Sequence, residues 1–161
     1  MLKETIAKLA ADMDRGDGKE RYRAQLALTR ETARVGKPGA EGERKELAKA
    51  IVDETLASKG GERRDNRRRP LPPTPVHSAA TRRELLRYAS EVSGAEEVPG
   101  LLKCATDFDL RDMARYALER TGGEEAVKAL CEVATKALGS DFRLGAIGAL
   151  ARRSGGGVND A

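Results

Sequence analysis

The chain carries one histidine, His77, and two cysteines, Cys104 and Cys131, and these limit the catalysis it could support. A lone histidine leaves no His pair for zinc and no base for a thiol nucleophile. Both cysteines sit inside amphipathic patterns, so they read as reduced, buried thiols of a cytoplasmic protein. No Gly-x-x-x-x-Gly-Lys loop is present to cradle a phosphate, and the Gly-Gly pairs at 60, 122 and 155 read as turn or tail glycines. Arg15-Gly-Asp17 has the letters of an adhesion tripeptide, but a turn accounts for it equally. No catalytic residue, metal ligand or cofactor is therefore assigned.

What recurs instead is charge. Arg83 to Val98 matches Arg111 to Ala126 at eight of sixteen positions, with a shift of 28. The shift pairs Glu84 with Asp112, Arg87 with Arg115, and Glu91 with Glu119. Side chains at 112, 115 and 119 share the helix face opposite the apolar one, so these six residues form a candidate contact stripe. The same spacing also suits solvated i,i+4 ion pairs. Tyr88 and Tyr116 repeat as well, and read as packing residues at the boundary of the core.

A second candidate is Arg67-Arg-Arg-Pro-Leu-Pro-Pro-Thr-Pro75. Arg69, Pro72 and Pro75 fit the spacing of a polyproline ligand for an SH3-type groove, and Arg67 and Arg68 add charge beside it. Residues 59–77 hold six basic side chains against two acids, while the rest of the chain carries 24 of each sign. The net charge of +4 therefore belongs to one loop. Any nucleic-acid affinity is expected to be weak, salt-sensitive and confined to that loop.

These residues must be positioned by helices. Aromatics are 3% of the chain and charged residues 35%, which favours small aliphatic side chains packed helix on helix. No apolar run approaches the roughly 20 residues that span a bilayer, and the start does not have the layout of a signal peptide. Apolar spacing predicts helices over about 2–14, 19–35, 42–57, 81–92, 95–105, 109–121, 124–138 and 140–153. Thr81-Arg-Arg-Glu84 reads as a capping box, and Pro99 falls in the first turn of its helix. Residues 59–77 show neither period and are expected to form a solvated insertion, replaceable from 60 to 77 by a short turn at little cost. Residues 154–161 read as a tail. The fold class expected is all-α, with no β-sheet.

Four helices share Arg-x-x-[Ala/Leu]-x-x-Ala: Arg21, Ala24, Ala27; Arg83, Leu86, Ala89; Arg111, Ala114, Ala117; and Arg143, Ala146, Ala149. With Val98-Pro99 opening one helix and Asp107-x-Asp109 in the turn after it, the chain resembles the HEAT-repeat family. The match is best over 95–122, good over 79–152 and weaker before 58. The resemblance implies a right-handed α-α superhelix of four units, 2–35, 42–92, 95–121 and 124–152, with the charged stripe on its concave surface. It also implies a ladder between turn acids and helix arginines. Arg111 and Arg143, with Asp109 and Asp141, fit that ladder, whereas Arg83 lacks the acid.

The function this resemblance implies is a non-enzymatic scaffold that binds another protein through its concave helices. Nucleic-acid binding through the basic insertion is the alternative, and an accessory role like that of HEAT-like chromophore lyases is a second. On the last helix, Leu144, Ile147 and Ala151 stand where earlier units carry charge. A terminal repeat normally presents a polar face. This end is therefore expected to meet a further repeat, a second copy of the chain or a partner.

Overall fold

The computed structural model describes residues 2–59 and 73–155. Among them lie eight α-helices: α1 (Leu2–Arg15), α2 (Gly18–Val35), α3 (Glu41–Thr55), α4 (Ala79–Val92), α5 (Val98–Ala105), α6 (Arg111–Arg120), α7 (Glu124–Lys136) and α8 (Ser140–Gly155). A short 3₁₀ turn, Ala95–Glu97, leads into α5, whose second residue is Pro99. Proline there loses no hydrogen bond that the helix could have made.

Helical spacing in the sequence becomes burial in the fold. Ile6, Ala10 and Met13 of α1 are buried, as are Ala24, Leu28 and Val35 of α2. The shared motif and residues beside it supply Leu85, Leu86 and Ala89 in α4, Ala114, Ala117 and Leu118 in α6, and Phe142, Ala146 and Ala149 in α8. Each fully buried leucine contributes about 1.5–3 kcal/mol relative to exposure. The small residues matter as much, because alanine lets two helices approach closely.

Contacts follow a regular scheme. Each odd-numbered helix packs on the even-numbered helix that follows it, giving four hairpins. Odd helices also touch successive odd helices, α1 to α3 to α5 to α7, and even helices touch successive even ones. The result is two layers of helices with the core between them. Gly100 shows how tight the odd layer is, since a Cβ at that position would stand 2.5 Å from Val52 Cγ1.

The connections between helices depart from the sequence expectation at two places. α4 begins at Ala79, with Ser78 as its cap: Thr81 N–H donates to Ser78 Oγ at 3.3 Å. Thr81 is not the cap; its hydroxyl donates to Asp14 Oδ1 at 3.0 Å, as does the Ser78 N–H at the same distance. The α1–α2 turn contains Arg15-Gly-Asp17, and Asp17 is consumed in a capping box, accepting from Lys19 and Glu20 N–H while Glu20 accepts from its own N–H. Gly16 is required in that turn, because a Cβ there would lie 2.3 Å from Asp12 O.

The second departure is the base of the insertion. Ser58–Lys59 and Thr74–Pro75 form a two-residue antiparallel ladder, pairing Ser58 with Pro75 and Lys59 with Thr74, so a small β element exists where none was expected. Val76 N–H extends the closure by donating to Ala57 O at 3.0 Å. His77, expected in solvent, is buried, with Nε2 2.6 Å from Glu54 Oε1. The insertion therefore leaves and rejoins the helices through a hydrogen-bonded stem.

Candidate functional site

The even-numbered helices carry the six charged residues of the repeated stripe. Their layer is knitted together by side chains that reach across it: Tyr88 donates its hydroxyl to Gln25 O at 2.9 Å, and Arg115 Nη1 reaches Gly145 O at 3.5 Å. Tyr88 is fully buried and Tyr116 exposed, so the two repeated tyrosines do not share one role.

Along this face all of the stripe's charges but Asp112, which lies in solvent, are paired. Arg87 pairs with Glu84 at 2.9 Å and with Glu91 at 3.4 Å, both on its own helix. Arg115 lies 3.5 Å from Glu119, and Glu119 is also held by Arg152 of α8, whose Nη2 donates to Oε2 at 2.8 Å. That hydrogen bond from Arg152 holds the Glu119 carboxyl below its ordinary range, against the opposing effect of burial. Pairs of this kind, partly solvated, contribute little to stability.

Where the middle of the face is charged, its C-terminal end is apolar and its N-terminal end uncharged. Motif register places Tyr22, Glu84, Asp112 and Leu144 at one position, and Gln25, Arg87, Arg115 and Ile147 at another. Tyr22 is 64% exposed, Leu144 63% and Ile147 52%. The C-terminal candidates thus lie in solvent, on the layer that carries the ion pairs.

The other sequence candidates fare differently. Arg67, Arg68, Arg69 and Pro72 lie outside the described residues, and Pro75 is paired in the stem. Cys104 is buried, and burial pushes its thiol up to about 11. Cys131, expected to be buried too, is exposed.

The arginine ladder is also rearranged. Arg83 does find an acid, but in the turn of the next hairpin: its Nε donates to Asp109 O at 2.6 Å and its Nη2 lies 3.5 Å from Asp109 Oδ1. One residue earlier, Arg82 is buried and ties Thr55 O to Asp107 Oδ2, both at 2.9 Å. The following rung breaks the pattern. Arg111 forms no ion pair with Asp141 among the described residues; its guanidinium stacks on Phe108 at 4.3 Å and Phe142 at 5.2 Å.

Sequence reasoning passed over Arg153, which spans the end of α6. Its Nη1 donates to Leu118 O at 3.1 Å, to Glu119 O at 2.7 Å and to Thr121 O, and its Nη2 to Gly123 O at 3.3 Å. Carbonyls at a helix C-terminus lack intrahelical donors, and a guanidinium fork supplies them. Arginine shortly before a glycine run carries no spacing signal that would mark such a role.

No helix among the described residues is long and apolar enough to cross a membrane, and no group of three or more His, Cys, Asp or Glu among them could hold a metal ion. Comparison with protein-family models, with curated proteins and with solved structures finds no match to this chain.

Proposed function

We propose that the chain is a HEAT-like α-solenoid whose function is to bind another protein through the face of its even-numbered helices. The regular hairpin packing and the in-register arginine motif support the repeat reading. The observation that carries the binding proposal is the exposure of Leu144 and Ile147, beside a row of charges most of which are already paired. Paired charges are indifferent to most partners, whereas exposed aliphatic side chains gain from being covered. Glu84, Glu91, Asp112 and Glu119 against Arg87, Arg115 and Arg152 also make this face a poor match for a polyanion. As with any fold-based reading, the function resides in these side chains and not in the helical frame.

The test is a Leu144→Glu/Ile147→Glu double variant. Both side chains are solvent-facing, so the helical signal and melting temperature are expected to hold. The parent is expected to capture a defined protein from native lysate, or to self-associate in light scattering, and the variant to lose that behaviour. A parent that stays monomeric at all concentrations, with the variant unchanged in capture and solubility, would overturn the proposal.

A further inference from the structure

A second feature lies away from the charged face, at the edge where the α5–α6 and α7–α8 turns meet the odd layer. Leu102 and Ala105 of α5, Val133 of α7, Leu138, and the rings of Phe108 and Phe142 wall a cavity of about 390 Å³. That volume suits one small molecule. Phe108 and Leu138 at its mouth are 77% and 89% exposed, a large apolar area left in water on two adjacent turns.

One cation sits in these apolar walls. Arg111 lines the cavity, with Phe108 on one ring contact and Phe142 on the other. Stacked in this way, a guanidinium offers its in-plane N–H edge and little else. The protein leaves the terminal nitrogens of that edge free: among the described residues neither Arg111 Nη1 nor Nη2 has a hydrogen-bond partner and the turn acid Asp141 forms no ion pair with it, while Nε is buried without an acceptor and out of a ligand's reach. By contrast, Lys136 at the same cavity is neutralised by Glu132 at 3.2 Å. The cavity is thus apolar in its walls and carries one uncompensated positive charge.

We propose that this cavity binds a small apolar carboxylic acid free in solution, with its carboxylate on Arg111 and its aromatic or branched aliphatic body among Leu102, Val133, Leu138 and the two phenylalanines. An ionised carboxylate matches the guanidinium edge in charge and geometry, and such bonds are about twice as strong as neutral ones. The body of the ligand must be apolar because the polar groups here are spent. Thr106 Oγ1 donates to Lys103 O at 2.8 Å, and Glu132 is held by Lys136. For the same reason a peptide C-terminus is a poorer occupant, since its main-chain N–H and C=O groups would enter without partners.

The probe is 4-phenylbutyrate, titrated by calorimetry and by ligand-observed NMR, beside 4-phenylbutanamide and a short peptide ending in phenylalanine with a free carboxylate. The acid is expected to bind at least about tenfold tighter than the amide, the ratio that one charge-assisted contact supplies. Arg111→Met, which keeps the apolar bulk, is expected to abolish that difference. Leu138→Glu leaves the buried core untouched and places a negative charge at the mouth; it thins the apolar wall for both probes, but it is expected to weaken the acid more than the amide even if Arg111→Met fails to fold. The proposal is overturned if acid and amide bind alike, if neither binds at millimolar concentration, if Leu138→Glu leaves the acid unaffected, or if the peptide binds as tightly as the acid. These outcomes are independent of the Leu144/Ile147 face.

Discussion

At the scale of single residues, the two thiols differ through burial. Cys104 faces the core, where loss of water penalises the thiolate and pushes its pKa to about 11 from an ordinary 9.0. Cys131, one hairpin further on, is exposed. A disulfide reagent at neutral pH is therefore expected to modify one thiol quickly, with Cys131→Ser abolishing the fast phase and Cys104→Ser leaving it intact. The shift also has a pH consequence. Between about 9 and 11 the folded chain keeps a proton on Cys104 that the unfolded chain releases, so stability falls as pH rises through that window. Cys104→Ala should flatten this part of the profile in denaturant unfolding. A parent profile that stays flat from pH 8 to 11 would show that the thiol is not excluded from water.

At the scale of elements, the end of α6 is held by a side chain from the last helix. Arg153 serves carbonyls of Leu118, Glu119 and Thr121 that the helix itself cannot satisfy. Arg153→Met preserves the aliphatic stem and removes the donors. A loss on the order of 1–2 kcal/mol is expected, allowing for the partial solvation of the site. Arg152→Met, which removes only a surface pair with Glu119, should cost clearly less. Equal costs in urea unfolding would refute the capping role. This contrast also shows what the sequence could convey. The apolar period made the helices legible, because Leu85, Leu86 and Ala89, or Ala114, Ala117 and Leu118, recur at the spacing a buried face demands. The Leu144 and Ile147 exposure was legible for the same reason, as an apolar residue where the period calls for a polar one. Arg153, Arg82 and the stacked Arg111 were not. Each acts on carbonyls or rings supplied by another element, and no local pattern records which element folds against it.

At the scale of the whole molecule, the question is where the helical body stops and the insertion begins. Composition placed that boundary at 59 and 77, by charge and proline content. The fold moves it inward, because the ladder at Ser58–Lys59 and Thr74–Pro75, the Val76 N–H bond to Ala57 and the buried His77–Glu54 pair all belong to the body. Ser78 follows at once as the cap of α4, tied to Asp14 at the end of α1. Two deletions separate these readings. Replacing residues 61–72 with a two-residue Asn-Gly turn keeps the stem, and closing a shorter loop changes the entropy of folding by only about 1 kcal/mol. That variant is expected to melt within a few degrees of the parent. Extending the replacement through His77 removes the partner of a buried carboxylate along with the stem hydrogen bonds. Leaving Glu54 buried and unpaired costs on the order of 1–3 kcal/mol by itself. The longer deletion should therefore melt well below the shorter one, and Glu54→Leu in the longer deletion should recover part of the difference. If both deletions melt together, the stem is an accessory of the insertion, and the hairpin of α3 and α4 is closed by their helix packing alone.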